Sequence, residues 1–258
     1  MQTYLAVTPD NLDTALRCTN RVAHVAYRID SRGELACCVL PPQVKGGMMV
    51  LSDGDGCEIG DTAALCRAIL KECAVRSFGG VVADFEQPVS EVRCALLNTL
   101  CPLLWRSGRR LFVPESYGSE VRGATVLICT AISGGTLRQR LEEAQKRFGN
   151  RVALDLQRLR MEFPLPCPGG EGCVIERETL EKLLCEDPAV FFSEDLCARY
   201  FVRVCGCEPR FVMFDDADTL RRKLRLAQSM GIGISFVMFP EVEDILEELW
   251  NKNTRQEK

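Results

Sequence analysis

Short apolar runs alternate with longer amphipathic stretches along most of the chain. An apolar run of about four to eight residues reads as a buried strand, and an apolar stripe at three-to-four spacing reads as a helix. Runs at 4–8, 24–29, 48–52, 81–85, 111–114, 125–130, 152–156 and 232–238 give eight candidate strands. Helical patterns fall between them at 61–76, 90–106, 136–148, 177–185 and 217–230, most opened by a polar residue and closed near a glycine. Alternation of this kind is the mark of βαβ units and a parallel sheet. Eight strands are what a closed (β/α)8 barrel of the TIM type requires.

Two stretches interrupt the rhythm. The segment 164–172 is rich in Pro and Gly and reads as a loop, while 198–215 reads as two strands around Cys205, Gly206 and Cys207, a hairpin inserted before the last helix. Residues 251–258 form a polar tail. The expectation is one α/β barrel domain over 1–250 followed by that tail, and a chain of 258 residues suits it.

Composition narrows the function classes. The chain is 47% hydrophobic and 26% charged, as a chain that buries a sizeable core should be. Its 36 acidic and 32 basic residues are mixed along the sequence, for a net charge of −4, so no surface is dedicated to a phosphate backbone and a nucleic-acid partner is not expected. No apolar run has the length of a membrane span, and Met1 to Val7 reads as a first strand rather than a signal, so a cytoplasmic protein with no membrane association is expected.

Fifteen cysteines, an odd number in a long chain, point to reduced thiols rather than a disulfide framework. Cys37 with Cys38, Cys205 with Cys207, and Cys167 with Cys173 all lack the paired spacing of a structural zinc site, so no metal is expected. The Gly-Gly pairs at 46–47, 134–135 and 169–170 lack the spacing of nucleotide-binding loops, and no cofactor is expected. His24, the single histidine, lies inside an apolar strand and reads as a core residue, which removes Ser-His-Asp and Cys-His chemistry. The Ser133 to Thr136 stretch opening a helix reads as a cap in preference to an anion site.

The informative segment runs from Phe78 to Pro88, an apolar strand that ends in Asp84 and Glu86. Residues i and i+2 share a face of a strand, so both carboxylates point into the barrel mouth if Val81 and Ala83 face the other way. That mouth carries the active sites of this fold, and two close carboxylates push their pKa values apart, leaving one protonated as a general acid needs. A competing reading makes the same two residues caps of the following helix, with Pro88 in its first turn.

This segment resembles the signature strand of glycoside hydrolase family 18, the chitinase-like barrels, with Phe78, Gly80, Asp84, Glu86 and Pro88 in register. Ser52, Asp53, Gly54 and Asp55 are similar to the family's Ser-x-Gly-Gly after the third strand, with the last glycine replaced. The stretch from Phe214 to Leu220, with Lys223 and the 231–233 turn, is similar to its last helix and strand. The resemblance implies that Glu86 protonates the glycosidic oxygen while the sugar's own acetamido group attacks the anomeric carbon, oriented and stabilised by Asp84. It implies a glycan or oligosaccharide ligand containing N-acetylated amino sugars, such as chitooligosaccharide or peptidoglycan fragments.

The sequence departs from the family pattern at several points. Gly79 and Val82 stand where the first two aspartates would, Phe85 takes the aromatic position, the strand at 125–130 lacks the Tyr-Asp pair, and Phe236 stands in the last strand, which usually ends in a tryptophan. Tyr117, Glu115, Gln157, Ser52 and Phe236 are the residues expected to supply substrate contacts. Two readings stay open: a substrate-assisted retaining glycosidase, or a catalytically inactive barrel that binds carbohydrate or acts as a scaffold. The sequence leaves oligomeric state open.

Overall fold

The computed structural model describes residues 1–38, 40–54, 59–167, 170–206 and 208–250; Asp55, Cys207 and the polar tail lie outside them. Eight parallel strands form a closed barrel: β1 (Gln2–Val7), β2 (Val22–Ile29), β3 (Met48–Asp53), β4 (Gly80–Asp84), β5 (Arg110–Pro114), β6 (Thr125–Cys129), β7 (Val152–Asp155) and β8 (Ile234–Met238). β1 closes the ring by pairing with both β8 and β2. The predicted (β/α)8 barrel is therefore the observed one, with each strand within two residues of its expected start and end.

The barrel interior is filled by Ala6, Ala23, Met48, Val50, Val82, Phe112, Ala153 and Phe236, with Leu127 of β6 packed against them. Inward residues thus come from every strand, the layered filling that makes such a barrel a core rather than a pore. Gly80 is required where β4 passes β5, because a Cβ there would lie 2.3 Å from the Arg110 carbonyl oxygen. Phe78, just before it, is buried against the rings of His24 and Tyr27. His24 is a core residue as expected: it is 3% exposed, it hydrogen-bonds the Gly46 carbonyl through Nε2, and burial lowers its pKa.

Helices follow the strands, the first being α1 (Leu12–Cys18), and the next two carry caps that the sequence supplies. The Asp61 side chain accepts the Ala64 N–H at the start of α2 (Thr62–Val75), and Ser90 accepts the Arg93 N–H at the start of α3 (Glu91–Arg106). Thr136 accepts the Gln139 N–H and caps the helix Leu137–Phe148, which settles the 133–136 stretch as a cap.

Contacts divide the described chain into two compact units, one of residues 1–128, 143–155 and 232–240, which holds the barrel strands with β6 up to Ile128, and one of residues 129–142, 156–231 and 241–250. In the second, the expected hairpin is present as Ala198–Cys205 paired with Glu208–Phe214. It is the centre of a five-stranded antiparallel sheet completed by Arg160–Pro164, Cys173–Val174 and Phe191–Ser193. The expected 164–172 loop falls between two of those strands in sequence, with Pro168 and Gly169 outside the described residues. The helix Arg177–Cys185 sets Leu180 and Leu183 against Phe201, Val212 and Phe214 of this sheet.

The same unit contains a fully buried ion pair. Asp215 Oδ2 lies 2.7 Å from Lys223 Nζ, and the carboxylate also accepts the Leu159 N–H and the Thr219 hydroxyl, each at 2.8 Å. Lys223 also donates to the Thr130 carbonyl at 3.1 Å. Asp216 completes a capping box with Thr219 at the start of the helix Ala217–Ser229.

Among the described residues no helix is long and apolar enough to cross a membrane, and no three His, Cys, Asp or Glu side chains are grouped as a metal site.

Candidate active site at the mouth of the barrel

β4 ends at Asp84, and accessibility alternates through the next residues: Ala83 is buried, Asp84 exposed, Phe85 buried, Glu86 exposed. Val82 belongs to the interior cluster, so Asp84, two residues on, continues the inward face at the C-terminal end of the strand, and Glu86 follows on that side. Phe85 turns the opposite way and packs edge-on against Tyr117, ring centroids 5.9 Å apart. The helix-cap reading fails, because α3 is capped by Ser90. Neither Asp84 nor Glu86 is occupied in holding a helix end.

The neighbouring strand brings two residues to the site. Ser52 is the register partner of Asp84 across β3 and β4, so it shares the inward face beside it, with its hydroxyl 3.4 Å from the Tyr27 carbonyl oxygen. Asp53, the next residue, faces outward, and its side chain is wholly buried. Its Oδ1 accepts the backbone N–H of Glu86 at 2.8 Å, and its Oδ2 lies 2.7 Å from Arg93 Nε on α3. Arg93 thereby neutralises Asp53, and Asp53 in turn holds the main chain that carries Glu86. Among the described residues the Glu86 carboxylate enters no ion pair.

The Asp84 carboxyl has a pKa raised above its ordinary value, chiefly by desolvation and then by the negative charges of Glu86 and Asp53. Raised affinity for a proton at one of two adjacent carboxyls is what general acid chemistry near neutral pH requires.

The other expected contacts divide by position. Glu115 is half-buried and opens the turn Glu115–Tyr117 directly after β5, at the same end of the barrel as Asp84. Tyr117 in that turn is fully buried behind Phe85, and its hydroxyl has no hydrogen-bond partner among the described residues. Phe236 lies inside the barrel, 5% exposed, stacked on Tyr4 and edge-on to Phe112. Gln157 belongs to the second unit, where its Oε1 accepts from the Cys129 thiol at 3.3 Å.

Asp53 and Arg93 are not singled out by the sequence pattern, although Asp53 directly follows Ser52 at the end of β3. Its signal was its place one residue beyond the inward serine, at the level of the β4 carboxylates.

No known sequence family matches the chain, and no curated protein does. Solved structures do match in fold. The spore cortex-lytic enzyme SleL of Bacillus megaterium is 16% identical with a TM-score of 0.63, over 99% of this chain and 75% of that one. A chitinase from Chromobacterium violaceum is 14% identical with a TM-score of 0.64, over 92% and 93%. A family GH18 chitinase from Cycas revoluta in complex with allosamidin is 11% identical with a TM-score of 0.63, over 97% of each chain. At these identities the likeness is one of fold: this chain shares the (β/α)8 barrel of these enzymes.

Proposed function

We propose that this protein is a glycan hydrolase acting on polymers or oligomers of N-acetylated amino sugars, with Glu86 as general acid and Asp84 as its partner. The observation that carries this is the Asp84 and Glu86 pair at the C-terminal end of β4. Both are accessible and free of helix-capping duty, and the pKa of Asp84 is raised by desolvation and by the charges of Glu86 and Asp53. The matched fold supports it, because proteins with that fold include chitinases and a spore cortex-lytic enzyme.

In the substrate-assisted scheme the protonated Glu86 gives its proton to the glycosidic oxygen as the bond from that oxygen to the anomeric carbon breaks. The carbonyl oxygen of the sugar's acetamido group bonds to the anomeric carbon, and Asp84 accepts the acetamido N–H as positive charge develops there. Water then attacks the anomeric carbon, returns its proton to Glu86 and restores the acetamido group, so configuration is retained.

Glu86→Gln keeps size and hydrogen bonding but cannot act as the acid. Wild type and Glu86→Gln are compared for release of reducing ends from N-acetylglucosamine oligomers and peptidoglycan glycan strands. Cleavage by the wild type that disappears in the variant is the expected result. Binding of these glycans without cleavage by either protein would replace the hydrolase with a carbohydrate-binding barrel.

A further inference from the structure

β2 contains one irregularity, and it lies beside the site. The register of β2 on β3 pairs Ala23 with Met48 and Val25 with Val50, then skips Ala26 and resumes with Tyr27 on Leu51 and Arg28 on Ser52. Residues before the skip follow simple alternation: Ala23 and Val25 pack in the barrel interior, and His24 faces outward onto Phe78. Continued without interruption, that alternation would send Tyr27 inward and Arg28 outward. The bulge at Ala26 reverses both. Tyr27 instead faces outward, its ring on Phe78 and its hydroxyl donating to Glu72 of α2 at 2.9 Å. Arg28 joins the inward face at the mouth, in one row with Ser52 and Asp84 across three adjacent strands. Bulges beside active sites commonly re-aim a side chain in this way.

Arg28 is exposed, and among the described residues it enters no ion pair. Two strand spacings put its Cα about 10 Å from that of Asp84, the scale of a sugar ring and one substituent. At that distance Arg28 is not among the groups that shift Asp84, so it is not placed to tune the carboxylate pair. It suits an anion carried by the substrate.

We infer that Arg28 is a specificity residue that binds an acidic substituent, a carboxylate borne on the glycan beside the sugar held by Asp84. This rests on the hydrolase reading above and narrows its substrate to acidic amino-sugar glycans. Peptidoglycan strands stripped of their stem peptides carry such a group as the free carboxylate of the lactyl ether, and chitooligosaccharides do not. The planar guanidinium matches a carboxylate with two parallel hydrogen bonds, which an ammonium does not reproduce.

The test is a binding measurement, so that it does not depend on turnover. The Glu86→Gln protein, with and without Arg28→Gln or Arg28→Lys, is titrated calorimetrically with two ligands of equal length. One is the N-acetylglucosamine tetramer, and the other is a peptide-free peptidoglycan tetrasaccharide bearing lactyl carboxylates. The expected result is tighter binding of the acidic ligand to Glu86→Gln and a loss of about ten-fold for that ligand alone on Arg28→Gln, with little rescue by lysine. Equal losses for both ligands, no loss for either, or no binding of the acidic ligand by Glu86→Gln would each overturn the inference. A wild type that binds the acidic ligand through Arg28 and never cleaves it would leave the inference standing and remove the hydrolase reading.

Discussion

The buried carboxylate of Asp53 accepts the backbone N–H of Glu86 at 2.8 Å while its other oxygen lies 2.7 Å from Arg93. The position of the proposed acid is therefore set from behind the strand, by a charge that substrate never meets. Asp53→Ala removes the acceptor of the Glu86 amide and the buried charge that Arg93 faces. The expected cost is about 3 kcal/mol of stability, the order found when one member of a buried pair is deleted. Turnover should fall by up to about 100-fold through misplacement of the acid. The fall should lie mainly in kcat, since glycan contacts on the inward face are untouched. Denaturant unfolding and steady-state kinetics on the same preparations check both; unchanged kcat would show that Glu86 is positioned by other means.

Asp84 has a raised pKa because of desolvation and the charges of Glu86 and Asp53. Its ionisation therefore opposes folding: the penalty is absent below the ordinary value of 3.8 and is complete once pH has risen through the higher folded value. Asp84→Asn removes a charge that the fold disfavours. The variant should melt at a higher temperature than wild type at pH 7, and the advantage should shrink as pH falls toward 3.8. Activity should be lost over the whole range, the usual exchange of stability against function at a strained site. Melting curves across pH, with activity at each point, make the check.

The barrel was legible because its strands are buried on both faces and read as near-continuous apolar runs, from 48–52 in β3 to 152–156 in β7. The five-stranded sheet was legible only at its central hairpin. Its outer strands are short, and Phe191 in one of them is exposed, so periodicity is weak there. At the site, Asp84 and Glu86 stood out as carboxylates closing an apolar strand. Phe78 and Gly80, which strengthened the family resemblance, do structural work: one is a buried anchor, the other gives clearance from Arg110. Arg28 was hidden because strict alternation in β2 places it outside the barrel, and the bulge at Ala26 is a register event that only the pairing with β3 reveals. Asp53 was hidden because its importance lies in a hydrogen bond to a main-chain amide 33 residues away.

Tyr117 was expected to contact substrate, and the structure buries it behind Phe85 with an unpartnered hydroxyl. A buried hydroxyl without a partner is destabilising, so Tyr117→Phe should gain about 1 kcal/mol. It should leave KM for any glycan unchanged. A rise in KM without loss of stability would instead return Tyr117 to the set of substrate contacts.

Lys223 and Asp215 are both wholly buried, 2.7 Å apart, and the carboxylate has two further donors in Leu159 and Thr219. Such a network is weak evidence for stability as a whole, yet removal of one charge strands the other in a medium that cannot solvate it. Burial already pushes the Asp215 pKa upward, and Lys223 opposes that push. Lys223→Met should therefore cost about 3–5 kcal/mol near neutral pH. Part of the deficit should vanish as pH is lowered, because the stranded carboxyl can then take a proton and become neutral. Adding Asp215→Asn should recover stability at neutral pH, since an amide can still accept from Leu159 and donate to Thr219 without carrying charge. Urea midpoints for wild type, single and double variants at two pH values decide it: a single variant whose deficit does not change with pH would mean that Asp215 is already neutral beside Lys223.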